Sequence, residues 1–307
     1  MKDTIDNPKY RRMLRPQSIA EIIEYLDFMT EFYFKVMVLL GRVGFKDPFR
    51  AEMTSSLQMM FTKGKAMRQL VDGYNHKQGG INLDSKADHT ILFTLVRAAY
   101  EQLCVFELVY AIPDTKEKRK VMESIYAATA EVNRLKMFTG ESLERNSELV
   151  DDSKQIIEAC KAEIQNTQLY QSLNDKDKKE LGKVVFTKGE YQIVFPKEGG
   201  VKTHVGWDEV RNYCRLNTDS LHGVYKYACN MAHPSYLALV QFHEAYKEGA
   251  IEVLNSTAVM QMTSIMSVYI MDFLDEYPEA RPAYDSLDDE AKFVVRMYSE
   301  GFRNSSV

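Results

Sequence analysis

The chain has 307 residues, of which 45% are hydrophobic and 27% are charged, and its net charge is −5. This length and composition are typical of a soluble globular protein with one large domain or two smaller ones. Because an acidic chain has no general attraction for nucleic acids, no DNA partner is predicted, and RNA or a nucleotide would need a local patch. The 15 Gly and 8 Pro residues are too few for an all-β fold, which needs many turns.

The first predicted helix covers residues 17–40, where apolar side chains recur at three- and four-residue spacing. Ser18 and Glu21 have the spacing of a capping box, which indicates a helix start. Gly41 and Gly44 follow the last apolar residues and are predicted to end the helix.

A second helix is predicted over residues 48–72, because Asp47 and Pro48 form a favourable N-cap and first-turn pair. The stretch 72–88 is rich in Gly, Asn and Asp and is predicted to be a loop.

The stretch 89–112 is apolar nearly all round, which is typical of a buried helix, and Pro113 ends it. Residues 116–138 and 141–171 continue the helical pattern with more charged side chains, so they are predicted to lie nearer the surface.

Residues 183–205 interrupt the helical pattern with β-branched and aromatic residues around TKGE and PKEGG, and they form the single β signal that we find. A hairpin or an ordered loop is predicted there. The helical pattern then resumes in the segments 207–216, 217–233, 235–276 and 287–302. The sequence therefore predicts an all-α, multi-helix bundle forming one domain over residues 1–307, with a short insertion near 183–205 and a weak seam at 172–206.

The stretch 253–271 contains no charged residue and is just long enough to span a bilayer. Seven of its side chains are Asn, Ser, Thr or Gln, which favours a central helix of a soluble core, so no membrane contact is predicted. No two of the four cysteines form a CxxC pair, so all four are predicted to be reduced. Because the sequence also shows no signal peptide, a cytoplasmic protein is predicted.

Arg97 and Glu101 lie four residues apart within the apolar stretch 89–112, so they share one face of a helix. Charged side chains are seldom buried unless they are paired. One interpretation is an ion pair that holds this helix to a neighbour. The alternative is that both residues line a polar pocket, where the guanidinium group would suit an anion such as a phosphate.

His233 directly precedes Pro234 at the end of a predicted helix. A histidine at a helix C-terminus interacts well with the free carbonyl groups, and a residue before proline is driven away from helical dihedrals, so a structural role as helix terminator is one interpretation. The alternative uses the near-neutral titration of imidazole for general acid–base catalysis.

Arg215, His222, Cys229 and His233 follow one another at steps of seven, seven and four residues, which places them on one stripe of a continuous helix. His222 and Arg215 are therefore second-choice catalytic residues after His233, Arg97 and Glu101. Because no His or Cys cluster has the spacing of a ligand set, no metal and no cofactor are predicted.

An apolar helix with Arg97 and Glu101, followed after about 130 residues by an aromatic-rich helix that ends in His-Pro, resembles an uncharacterised bacterial family of helical proteins related to the HEPN superfamily. The resemblance spans roughly residues 85–250. It implies a helical bundle, commonly dimeric, in which an Arg-x(4–6)-His motif faces a cleft; many HEPN proteins are metal-independent ribonucleases. It also implies that the following residues bind a ligand: Arg97, Glu101, Tyr227, Asn230 and His233.

Three functions remain open. The preferred prediction is a noncatalytic interaction or regulatory protein of a bacterial defence or regulatory pair, with a protein partner or a homodimer. The first alternative is a metal-independent HEPN-type ribonuclease or nucleotide-binding protein that uses His233 with Arg97, and the second is a protein that binds a small anionic ligand.

Overall fold

The computed structural model describes residues 5–44, 47–84, 87–214, 216, 218–248 and 250–303. The protein is mostly helical, at 77%, with one small two-stranded hairpin. The predicted all-α class is therefore confirmed at this level.

The chain groups into two compact units, one made of Met1–Cys104 with Arg215–Val307 and the other of Val105–Cys214. The boundaries fall at 104/105 and 214/215, outside the segment 172–206 where a seam was predicted. The single domain over residues 1–307 stays a prediction.

The first unit contains α13 and helices that precede and follow it in sequence. They are α1 (Pro8–Leu14), α2 (Ile19–Val43), α3 (Pro48–Leu70), α4 (His89–Phe106, shared with the second unit at its end), α11 (Thr218–Ala232), α12 (Tyr236–Glu248), α13 (Ile251–Glu276), α14 (Arg281–Asp285) and α15 (Asp289–Glu300). The second unit contains α5 (Lys116–Met137), α6 (Glu141–Arg145), α7 (Ser147–Gln165), α8 (Gln168–Ser172), α9 (Asp175–Lys183) and α10 (Trp207–Tyr213).

Local capping explains where α2 and α3 begin. The Ser18 side chain accepts from the backbone N–H of Glu21, and the Asp47 side chain accepts from that of Arg50, so both predicted N-caps are confirmed. The helix α2 continues through Gly41 and ends at Gly44, whose φ of 76° a non-glycine residue would rarely adopt.

The core of the first unit is built on α13, which packs against α2, α3 and α15. Its hydroxyl groups are satisfied within the core: Ser267 Oγ donates to Thr263 O at 2.7 Å and lies 2.7 Å from Tyr25 Oη. This helix is long and apolar enough to cross a membrane, but 72% of its most apolar window is buried inside the protein. That burial agrees with the predicted role as a core helix.

The structure corrects the predicted loop at 72–88 and decides between the two alternatives for 183–205. Within the predicted loop 72–88, residues Asn75–Gln78 (β1) and Ile81–Asp84 (β2) form an antiparallel hairpin around Gly79 and Gly80. The segment 183–205 forms a π-helical turn, Val184–Lys188, followed by the ordered loop that was one of the two alternatives. Its β pairing among the described residues is a single bridge between Val194 and Lys202. Val184, Val185, Ile193 and Val205 are buried without belonging to a strand.

In the second unit, α5 and α7 pack along each other. Their contact includes the buried carboxylate of Glu131, which accepts from Ser153 Oγ at 2.7 Å and pairs with Arg134 at 2.9 Å. A buried carboxylate requires such partners.

The helical boundaries near the predicted site differ from expectation in two respects. The helix α11 ends at Ala232, so His233 lies in the following turn. The predicted continuous helix over 235–276 is two helices, because α12 ends at Glu248 and α13 begins at Ile251.

Candidate functional site

The structure brings three of the predicted residues together in the first unit. Arg97 and Glu101 lie one turn apart on α4, and Arg97 Nε donates to Glu101 Oε1 at 2.9 Å. Arg97 Nη1 lies 3.0 Å from His233 Nε2, although 136 residues separate the two in sequence. We call Arg97, Glu101 and His233, together with Tyr225, which contacts Glu101, the Arg–His cluster.

The contact between Arg97 and His233 sets which ring nitrogen faces the guanidinium group. A guanidinium group can only donate hydrogen bonds. The 3.0 Å contact is therefore a hydrogen bond when His233 Nε2 is the acceptor. A neutral imidazole with a lone pair on Nε2 is the form that a general base needs.

Tyr225 completes the cluster, because its hydroxyl group donates to Glu101 Oε1 at 3.1 Å. Its ring stacks on Tyr100 with centroids 4.7 Å apart. The pKa of the Tyr225 hydroxyl group is raised well above its usual range, mainly by burial. A hydrogen bond to Cys229 and the charge of Glu101 raise it further. Tyr225 is therefore a fixed donor at neutral pH.

The hydrogen bond from Arg97 to Glu101 raises the pKa of the guanidinium group further above its already high value. The side chains of Arg97 and Glu101 are 28% and 30% exposed, and His233 is exposed. The cluster thus lies at the surface, where a solute can reach both the guanidinium group and the imidazole ring.

The remaining predicted ligand-binding residues make other contacts. The Tyr227 hydroxyl group donates to Gln241 Oε1 at 2.8 Å, and its ring packs edge-on against Phe93. Asn230 contributes its carbonyl oxygen to Ser235 Oγ at 3.0 Å. Both residues therefore join α11 to the start and middle of α12.

Arg215 lies outside the described residues, and His222 lies in α11 with its side chain outside them. Their predicted catalytic roles stay predictions. Within the described ranges, no group of three or more His, Cys, Asp or Glu side chains is placed to hold a metal ion.

Sequence reasoning missed Tyr225 as a member of the cluster. A signal for it exists, because Tyr225, Cys229 and His233 follow at steps of four residues and so share one side of α11 and its end.

Sequence reasoning also missed the exposed apolar surface of α12, where Ala238 and Ala245 are buried but larger apolar residues face solvent. The exposed fractions range from 84% for Tyr236 and 61% for Leu239 to 39% for Phe242. We call these residues the α12 face: Tyr236, Leu237, Leu239, Val240, Phe242 and Tyr246. A helix of this composition normally packs against another surface.

Comparison with protein-family models, with curated proteins and with solved structures finds no match to this chain.

Proposed function

We propose that this chain is a HEPN-like, noncatalytic interaction protein of a bacterial defence or regulatory pair, and that it assembles through the α12 face. The observation that carries the proposal is the exposure of six large apolar side chains on one short helix. The HEPN-like assignment is supported by the meeting of Arg97 and Glu101 with His233 at the end of a later helix.

The size of the α12 face decides what it can bind. The exposed fractions of its six residues equal about three complete side chains. At roughly 200 Å² for each large side chain, the face offers roughly 600 Å², which is at the upper end for the largest apolar patch of a monomer.

The occupant that we propose for the α12 face is a second copy of the chain. Two such faces would bury roughly 1,200 Å², which reaches the lower limit for specific interfaces. The first seven residues of α12 carry no charge, and the charged Glu244 and Lys247 stand at its other end. An antiparallel two-fold pairing therefore places the apolar residues in the centre and the charges at the rim, as in most interfaces.

The test is the mass of the protein in solution, measured by light scattering and sedimentation over a range of concentrations. Burying a Leu side chain completely is worth about 1.5–3 kcal/mol, so the 61% exposed fraction of Leu239 is worth roughly 1–2 kcal/mol in each copy. Because a two-fold interface contains the residue twice, Leu239→Ser should weaken the dimer roughly 30- to 1,000-fold.

The control is Leu149→Ser, the same substitution at a residue of α7 that is 48% exposed. This variant should keep the wild-type mass. A wild-type protein that is monomeric at every concentration would refute pairing through the α12 face. If Leu239→Ser and Leu149→Ser weaken the dimer equally, the interface does not lie on the α12 face.

A second function is favoured by the 3.0 Å contact between Arg97 and His233, namely metal-independent cleavage of RNA. In that reaction His233 Nε2 takes the proton of a ribose 2′-hydroxyl group, the 2′-oxygen attacks the adjacent phosphorus, and the bond from phosphorus to the 5′-oxygen breaks. Arg97 leaves His233 to stabilise the negative charge on the phosphoryl oxygens, and the leaving oxygen takes a proton from water.

Incubation of the protein with RNA in the presence of EDTA tests this second function. Cleavage should disappear in His233→Gln and persist in His243→Gln, a control at an exposed histidine of α12, with thermal melting to show that both variants fold. A folded wild-type protein that leaves RNA intact contradicts the ribonuclease.

A further inference from the structure

A surface groove in the first unit runs between α1, α13 and α15, and its lining includes no residue of the Arg–His cluster or of the α12 face. It consists of two adjoining depressions that share Leu14 and Met297. The depression with a volume of about 300 Å³ has a mostly apolar lining that includes Met260 and Phe302, and we name it the inner depression. The depression with a volume of about 550 Å³ includes Arg11 and Arg15, and we name it the outer depression.

The two arginines of the outer depression are available to an anion. Arg11 and Arg15 lie one helical turn apart, and Arg11 Nη2 donates to the carbonyl oxygen of Ile5 at 2.9 Å. Neither forms an ion pair with a carboxylate of the described residues, whereas the neighbouring Arg12 pairs with Glu24 at 3.2 Å. Asp6 also borders the outer depression, so these three side chains together leave a single positive charge at its mouth.

The inner depression is suited to a hydrocarbon chain. Met260 and Met297 are 37% and 43% exposed, and the flexible thioether of methionine adapts to chains of different shape.

We propose that this groove binds an anionic amphiphile, with a single hydrocarbon chain in the inner depression and a carboxylate, sulfate or phosphate head at Arg11 and Arg15. A small polar anion would leave the apolar lining in water, and an uncharged hydrocarbon would leave both guanidinium groups unused. The combined volume lies in the range of ligand sites in proteins, about 300–1,000 Å³. The proposal does not depend on pairing through the α12 face or on RNA cleavage.

The experiment is isothermal titration calorimetry of the full chain with dodecanoate, decanoate and octanoate below their micelle-forming concentrations. Each methylene group buried in the groove should tighten the dissociation constant by up to about fourfold. Dodecyltrimethylammonium, which has the same chain and the opposite charge, should bind more weakly than dodecanoate by up to about fivefold, the effect of an exposed ion pair.

Variants locate the site. The double variant Arg11→Gln/Arg15→Gln should lose the preference for the anionic head, whereas Arg12→Gln, at the paired arginine of the same helix, should keep it. Met260→Glu should abolish binding because it places a charge among the apolar side chains. Leu239→Ser should bind dodecanoate as the wild type does, which separates this groove from the α12 face.

Several results would overturn the proposal: no binding of dodecanoate by the folded wild-type protein, binding that is independent of head charge, binding that Leu239→Ser removes, or binding that Met260→Glu leaves intact. Sedimentation with vesicles of an anionic phospholipid distinguishes the source of the amphiphile. Vesicle binding that requires Arg11 and Arg15 supports a membrane lipid, and binding of monomeric dodecanoate without vesicle binding supports a free fatty acid.

Discussion

The same substitution, Gly→Ala, should have opposite effects on stability at two helical glycines of the first unit. Gly41 lies in α2 and Gly64 in α3, and neither has a positive φ. A methyl group at Gly41 would meet no atom within 4 Å. At Gly64 it would lie 2.8 Å from Cε and 2.9 Å from Sδ of Met266, and 3.3 Å from Cγ2 of Thr30.

The magnitudes follow from two opposing effects. Alanine is favoured over glycine inside a helix by about 0.5–1 kcal/mol, so Gly41→Ala should raise the free energy of unfolding by that amount. At Gly64 the same gain is opposed by overpacking, which costs about 1–3 kcal/mol, because Met266 and Thr30 are buried and cannot move into solvent. Gly64→Ala should therefore lower the free energy of unfolding by up to about 2.5 kcal/mol.

Urea denaturation of both variants measures the change in the free energy of unfolding. The comparison requires that the dependence of this free energy on urea concentration is the same in the variants and the wild type. A third measurement isolates the contact: in a Met266→Ala background, which removes Sδ and Cε, Gly64→Ala should no longer destabilise. If Gly41→Ala and Gly64→Ala stabilise the protein equally, the close approach of α3 to α13 is refuted.

Three further predictions concern capping and pH. Asp288→Ala removes the acceptor for the Ala291 N–H and for the Tyr10 hydroxyl group, and should lower the free energy of unfolding by about 1–2 kcal/mol in urea. Ser235→Ala removes the N-cap of α12 and should lower thermal stability by about 1 kcal/mol. Burial is the main cause that raises the pKa of both Tyr10 and Tyr298 to about 12. Their contribution to the free energy of unfolding should therefore be fully present below pH 10.0, the pKa of a free tyrosine, and should be lost between pH 10.0 and about 12. The loss should be smaller in Tyr298→Phe, which retains only the Tyr10 hydroxyl group.

The helix starts were predictable because their determinants are local. The side chains of Ser18 and Asp47 bond to backbone N–H groups three residues further along, and such spacings can be read directly from the sequence. The end of α2 was predictable only in part, because Gly41 and Gly44 are equally good terminators by residue type. Only the conformation of Gly44, at φ 76°, distinguishes them.

The hairpin at 75–84 was missed because its first strand is exposed at every position and so has no alternating apolar pattern. The dipeptide Gly79-Gly80, with φ of 59° and 81°, is the signal that could have revealed it, since such pairs favour hairpin turns. In contrast, Val184 and Val185 suggested a strand because they are apolar and β-branched, although burial in a π-helical turn requires the same residue types.

The Arg–His cluster was predictable in its parts but not in its geometry. The spacing of Arg97 and Glu101 implies their pairing on one helix face. The contact of Arg97 with His233 depends on how α4 packs beside the end of α11, and no local pattern encodes that packing. The exposure of the α12 face was unpredictable for a related reason, because an apolar helix has the same composition whether its surface is covered or free.

The turn at His233 shows how the structural and the chemical roles of this residue can be separated. Its backbone carbonyl accepts from the Ser235 N–H at 2.7 Å, and Ser235 Oγ both donates to Asn230 O and accepts from the Ala238 N–H. None of these bonds uses the imidazole ring, so the chain turns here through its backbone and through Ser235.

The ring of His233 instead contacts Arg97, and that contact requires only an acceptor. Glutamine carries an acceptor on a flexible side chain but cannot act as a base near neutral pH. If the ring only anchors Arg97, His233→Gln should match the wild type in stability and in every functional assay. If the ring transfers a proton, the same variant should remain folded and lose activity. Because Ser235→Ala disturbs the turn without touching the ring, the two substitutions together assign each role to its own atoms.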